Sequence, residues 1–290
     1  MKELKMAIIE PIEGKYIYIT IQGIEYRIYC EQSGSGIPLI CQHSAGSNVL
    51  EWRHMLIDPE ITSKYHVIAA DLPFHGRSIP PEGISWWKQE YKLTKSFFMD
   101  FQVELSRALG LQRPVYIGTA NGGFLALNLA LNHPDDFRAV IGVEAAENAG
   151  PATMDIFYHP QISNDFKRGT AMGFSAPANP EKYRRAISWV AMLSAPPVTK
   201  GDMNYYFIEH DMTGKCPQID TTRCAVYLLT GEYDPTSTVE DTKELAKKIK
   251  GSKFYEMKGM SHSGMAENPE LFKKYLMPIL NEIANQTKTV

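Results

Sequence analysis

The sequence contains no run of the roughly 18 apolar residues that a membrane-spanning helix needs. Its short apolar run at 6–9 is broken by Glu10 and Pro11 and is shorter than the core of a secretory signal. The four cysteines (Cys30, Cys41, Cys216 and Cys224) form no C-x-x-C pair, so they read as isolated reduced thiols. These features together set the expectation of a cytoplasmic protein. The eight histidines include no H-E-x-x-H or comparable ligand spacing, and no metal is expected. Charge of one sign is also lacking. With 30 Lys and Arg against 33 Asp and Glu, the net charge is −3 and no basic stripe is present. Nucleic acid and anionic membrane are therefore not expected as partners.

What is present is an ordinary globular composition. The 290 residues are 44% hydrophobic and 22% charged, enough for one large core or a core with a small second lobe. Residues 16–21 alternate, Gln22-Gly23 interrupt, and residues 24–29 alternate again, which predicts an antiparallel hairpin. Beyond Ser33-Gly34-Ser35-Gly36 the pattern changes to short, continuous apolar runs at 38–41, 67–70, 115–117 and 139–143. Such runs fit strands buried on both faces of a parallel sheet. Helical patterns separate them, with an apolar stripe at Phe97, Phe101, Leu105 and Leu109 and another from Phe124 to Leu129. Strand and helix alternate again at 225–229, 238–250, 253–257 and 269–283, and the expected class is α/β, a mostly parallel sheet with helices on both faces. Residues 147–218 break the rhythm. Rich in aromatics, methionines and prolines, they read as a helical cap inserted into a core made of 1–146 and 219–290.

The segment Gly118-Thr119-Ala120-Asn121-Gly122-Gly123 lies directly between a buried strand and a helix. A turn that sharp strains its middle residue and needs small neighbours to close. It lacks the Lys-Ser/Thr of a phosphate-binding loop and the G-x-G-x-x-G of a dinucleotide site, so no nucleotide cofactor, or any other, is expected. Its frame matches the G-x-S-x-G nucleophile elbow, with alanine at 120 where that motif has serine. Three further segments fall in the order that goes with such an elbow. His43-Ser44-Ala45-Gly46 follows the first parallel strand, Gly231-Glu232-Tyr233-Asp234-Pro235 follows the run 225–229, and Gly259-Met260-Ser261-His262 follows the last strand. Asp71-Leu72-Pro73-Phe74-His75-Gly76-Arg77-Ser78 is similar to a D-x-P-G-x-G-x-S segment with Phe74 in place of its first glycine.

With these residues the chain resembles the α/β-hydrolase fold family, in the broad group of serine-type esterases, lactonases and carbon–carbon bond hydrolases. The resemblance covers about residues 24–146 and 219–286. It implies residue 120 as the nucleophile position, His262 as general base and Asp234 as the carboxylate that orients it. Glu144, at the end of the run 139–143, is the alternative acid, a location used by some lactone hydrolases of this fold. The backbone N–H groups of Ala45 and Asn121 are implied as donors to an oxyanion. His43, Ser44, Trp189 and Met192 are the expected substrate-binding side chains, against the plainer reading that the insertion's aromatics and methionines are only its own core. His75 and Arg77 read as structural, and Trp86-Trp87 as either an entrance lining or packing.

An alanine methyl can neither attack a carbonyl nor pass a proton to His262. The chain is therefore expected to be nearly inert, either because alanine was introduced in place of a native serine or because the protein is naturally a non-hydrolytic, ligand-binding relative. An acid and a histidine kept in place beside an absent nucleophile favour the first. The expected partner is an apolar or aromatic small molecule: an ester, a lactone or a vinylogous diketone. A homodimer is left open.

Overall fold

Residues 13–33 alternate β-branched and aromatic residues with polar ones. They form an antiparallel hairpin in the computed structural model, which describes residues 7–150, 154–158 and 166–287. Strand β1 (Glu13–Ile21) turns through Gln22 and Gly23 into β2 (Ile24–Ser33). Both turn residues have positive φ, 50° and 80°, the two-residue geometry whose twist suits a hairpin.

The continuous apolar runs become β3 (Ile37–Gln42), β4 (Tyr65–Ala70), β5 (Val115–Thr119), β6 (Ala139–Val143), β7 (Ala225–Gly231) and β8 (Lys253–Met257). All join one eight-stranded sheet in the order β1-β2-β4-β3-β5-β6-β7-β8. The pairs from β4-β3 to β7-β8 are parallel, and only β1-β2 and β2-β4 are antiparallel. Every residue of β5 and β6 is buried, as expected for central strands covered on both faces.

Among the described residues, the long helices against the sheet are α1 (Lys95–Ala108), α2 (Asn121–Asn132), α6 (Val239–Lys248) and α7 (Pro269–Thr287). Two apolar clusters result. One unites Phe98, Phe101, Leu125 and Leu129 of α1 and α2 with Leu245 of α6. The other holds Trp52 and Leu56 against Phe272, Leu276 and Leu280 of α7.

Between β6 and β7 the chain leaves the sheet and forms α3 (Phe166–Gly173), α4 (Glu181–Ala191) and α5 (Pro196–Asn204). These helices are joined by turns and loops, and residues 151–153 and 159–165 of the expected cap lie outside the described residues. Its aromatics divide between two roles. Tyr206 stacks on Phe124 with ring centroids 4.2 Å apart, and Tyr205 packs against Phe98 at 4.9 Å, so these two belong to the core. Others line the cavity described below. Among the described residues, no helix is long and apolar enough to cross a membrane.

Candidate active site

β5 ends at Thr119 and α2 begins at Asn121, so residue 120 alone reverses the chain's course. Ala120 has φ 51° and ψ −109°, a conformation that strains any residue carrying a Cβ. The small neighbours are required by space. A Cβ on Gly118 would stand 2.5 Å from the carbonyl carbon of Gly122, and one on Gly123 would stand 2.1 Å from the carbonyl oxygen of Val143. The bend is fixed from below by the Ala120 N–H, which donates to the Val143 carbonyl at 3.0 Å.

Ala120 and His262 line one cavity of about 490 Å³. His262 comes from the loop after β8, and its Nδ1 lies 2.9 Å from Oδ2 of Asp234, which follows β7. The Thr236 hydroxyl stands 3.1 Å from the same nitrogen, and Asp234 Oδ1 accepts from the Thr236 N–H at 2.7 Å. Burial opposes the charge on Asp234. The facing His262 outweighs it, and the carboxyl is held well below the usual aspartate range. Burial likewise works against a charged His262, yet Asp234 prevails and raises the imidazole above its ordinary value of 6.5.

Glu144 occupies a different place. It is fully buried behind Asp234, has φ 59°, and accepts the Gly231 N–H at 3.0 Å. Burial, reinforced by the neighbouring Asp234 charge, pushes its carboxyl well above the ordinary range, and it bonds to Asp234. The two carboxyl groups are thus one buried pair with opposite tendencies, and the member beside the imidazole is Asp234.

The loop after β3 carries Ser44 and Ala45 into the cavity wall. His43 does not reach it. Its ring is buried, Nε2 accepts the Leu72 N–H at 3.1 Å and Nδ1 faces the Ser44 carbonyl at 2.8 Å, so it stiffens the loop. Trp189 lines the cavity at its rim, while Met192 stands half exposed outside the lining. The Asn121 side chain turns to the carbonyl of Asp202 at 3.1 Å. His75 is buried against Asp202 at 2.7 Å, and Arg77 meets Glu31 at 3.2 Å, both structural contacts. Trp86 packs edge-on against Phe74 at 6.3 Å, which itself holds φ 71° at the position where the similar segment carries its first glycine.

Two acidic residues escaped the sequence reading. Glu51 lines the cavity and takes both the N–H of Ser44, at 2.8 Å, and its hydroxyl, at 3.0 Å. A charged residue among Val49, Leu50 and Trp52 was the available signal. Asp202 in α5 has no such local signal, because its partners are distant in sequence. No group of three or more His, Cys, Asp or Glu among the described residues is arranged to hold a metal.

Comparison with known proteins bears on the fold and the family. The alpha/beta hydrolase fold family matches residues 37–269. The chain belongs to that family. Among relatives of the α/β-hydrolase fold, 2-hydroxymuconate semialdehyde hydrolase of Pseudomonas sp. (strain CF600) is 29% identical over 128 residues, 44% of this chain and 43% of the relative. The chain thus spans less than half the length of the curated relatives it matches. Two solved structures share the fold nearly end to end. A thermophilic esterase from Thermogutta terrifontis has a TM-score of 0.79 at 20% identity, covering 93% of this chain and 99% of that one. The enol-lactonase from Burkholderia xenovorans LB400 has a TM-score of 0.76 at 17% identity, covering 91% and 100%.

Proposed function

We propose that the chain is a serine-type hydrolase scaffold for a carboxylic ester or lactone, held inactive by the alanine at position 120. The observation that carries this reading is the His262–Asp234 pair at 2.9 Å, whose imidazole lines the same cavity as a strained strand-to-helix bend. A serine at 120 would supply the missing chemistry. Its Oγ attacks the acyl carbon while its proton passes to Nε2 of His262, and Asp234 stabilises the resulting imidazolium. The N–H groups of Ala45 and Asn121 receive the oxyanion. His262 then protonates the departing alkoxide, which stays tethered if the substrate is a lactone, and water releases the acyl group by the same route. With alanine the cavity can bind such a molecule but has no atom to attack it.

Phe157, Phe174, Ile187, Trp189 and Met203 give most of the cavity an apolar wall, which supports a substrate with a hydrocarbon or aromatic acyl group. Four buried unpaired thiols support a reducing, cytoplasmic setting. A second reading, cleavage of a carbon–carbon bond in a vinylogous diketone, is favoured by the 29% identity to a semialdehyde hydrolase. It uses the same nucleophile and base and adds protonation of a departing carbon.

The test is Ala120→Ser, assayed on aryl esters, lactones and a vinylogous diketone. Turnover should rise by about 10⁶, the usual cost of losing such a serine. A folded Ala120→Ser protein that turns over none of the three, yet binds them tightly, would support a ligand-binding relative instead.

A further inference from the structure

Gly46 is the residue after Ala45, and both of its polar backbone atoms are taken by the insertion. Its N–H donates to Oδ2 of Asp202 at 2.6 Å, and its carbonyl accepts from the Ser194 hydroxyl. On the other side of Ala45, the Ser44 N–H is held by Glu51 at 2.8 Å. The Ala45 peptide therefore lies between two amides, each bound to a buried carboxylate. Asp202 also reaches the second segment that flanks residue 120, since its own carbonyl accepts from Nδ2 of Asn121 at 3.1 Å. One residue of α5 thus touches both the loop after β3 and the start of α2.

Asp202 is itself well fixed. It is fully buried, with His75 Nε2 at 2.7 Å and the Tyr91 hydroxyl donating to its Oδ1 at 3.0 Å. Gly201 lets the helix approach this closely, because a Cβ there would stand 1.9 Å from the Tyr91 ring. Burial opposes its charge, but His75 and the Gly46 N–H outweigh burial and hold the carboxyl below the ordinary aspartate value. A charged acceptor makes the bond to Gly46 one of the stronger kind.

We propose that Asp202 is a positioning residue for the anion-stabilising site, fixing Gly46 and Asn121 so that the N–H groups of Ala45 and Asn121 keep one separation. This rests on the hydrolase reading above. The competing account is that Asp202 only pairs with His75 to seat the insertion on the core. The two differ for Asp202→Asn, which keeps an oxygen for the Gly46 N–H and can donate to the Tyr91 oxygen, but loses the charge.

In the Ala120→Ser background, Asp202→Ala should lower kcat by about 10²-fold, the scale of losing one oxyanion donor, with KM changed less than about threefold. Asp202→Asn should keep kcat within about fivefold. The proposal is overturned if Asn loses as much as Ala, if Ala leaves kcat within about twofold, or if the loss falls in KM. Should Asp202→Ala not fold, the folded Asn variant decides alone by the same limit. A second readout needs no turnover. In the chain with Ala120, the Gly46 amide proton should exchange slowly, remain slow in Asp202→Asn, and speed up at least about tenfold in Asp202→Ala. Unchanged exchange in Asp202→Ala refutes the grip on Gly46. An Ala120→Ser protein that hydrolyses nothing sinks the hydrolase reading, and the exchange measurement then judges the grip by itself.

Discussion

Asp234 and Glu144 show how two neighbouring carboxyl groups acquire different work. Both are buried, but Asp234 faces an imidazole and stays charged, while Glu144 faces a carboxylate and a backbone N–H and favours its protonated form. Glutamine closely mimics a protonated glutamic acid. In Ala120→Ser, Glu144→Gln should therefore cost less than about tenfold in kcat, whereas Asp234→Asn should cost roughly 10⁴-fold, as when a triad imidazole loses its orienting charge. Steady-state rates of the two variants check this ordering, and the reverse order would move the acid role to Glu144. The pH profile follows from the same pair. A base must be neutral to accept a proton, and His262 is raised above 6.5 by Asp234. kcat/KM of Ala120→Ser should fall on the acid side with a limb above that value. Asp234→Asn should move the limb to lower pH, because the charge that holds the proton on the ring is gone.

At the scale of elements, the bend between β5 and α2 depends on close backbone approach more than on side-chain packing. Gly123→Ala would drive a Cβ to within 2.1 Å of the Val143 carbonyl, in the strand next door. Overpacking of this kind costs about 1–3 kcal/mol, which urea unfolding of the variant should register. Such elements were largely legible in the sequence. Period-two alternation marked β1 and β2, and the continuous runs marked the parallel strands, because a strand covered on both faces has no polar side to show. Small residues around 120 marked the bend, and the residue order marked Asp234 and His262. The insertion was harder. Its aromatics serve both as core and as cavity wall, and composition does not separate Tyr206, stacked on Phe124, from Trp189 at the rim. Met192 and His43 carried suitable chemistry but face elsewhere, since spacing gives the element and not the direction in which a loop side chain turns. Asp202 could not be weighed without knowing which amide it meets, whereas Glu51 carried a signal as a charge among apolar neighbours.

Across the whole molecule, the insertion and the loop after β8 are joined through a group that responds to pH. Glu267 accepts the N–H of Ser261, beside His262, and the N–H of Ala176 in the insertion. Burial pushes its carboxyl up to about 7, against an ordinary 4.5. A raised folded-state value means that the folded protein holds the proton more tightly. The stability this contributes is fully present below 4.5 and is lost as pH rises through 7, about 3 kcal/mol at roughly 1.4 kcal/mol per unit. Denaturant titrations between pH 4 and pH 8 should show this slope in the parent and a flatter one in Glu267→Gln. Equal slopes would remove Glu267 as its source. The double hold on Gly46 has a different consequence. Exchanging the insertion for that of another family member would remove the Ser194 and Asp202 partners of two backbone polar atoms, at about 1–3 kcal/mol for each one left unsatisfied when buried. Chimaeras meant to broaden what the cavity accepts should therefore retain Ser194 and Asp202, because here the choice of guest and the shape of the reaction chamber are inherited together.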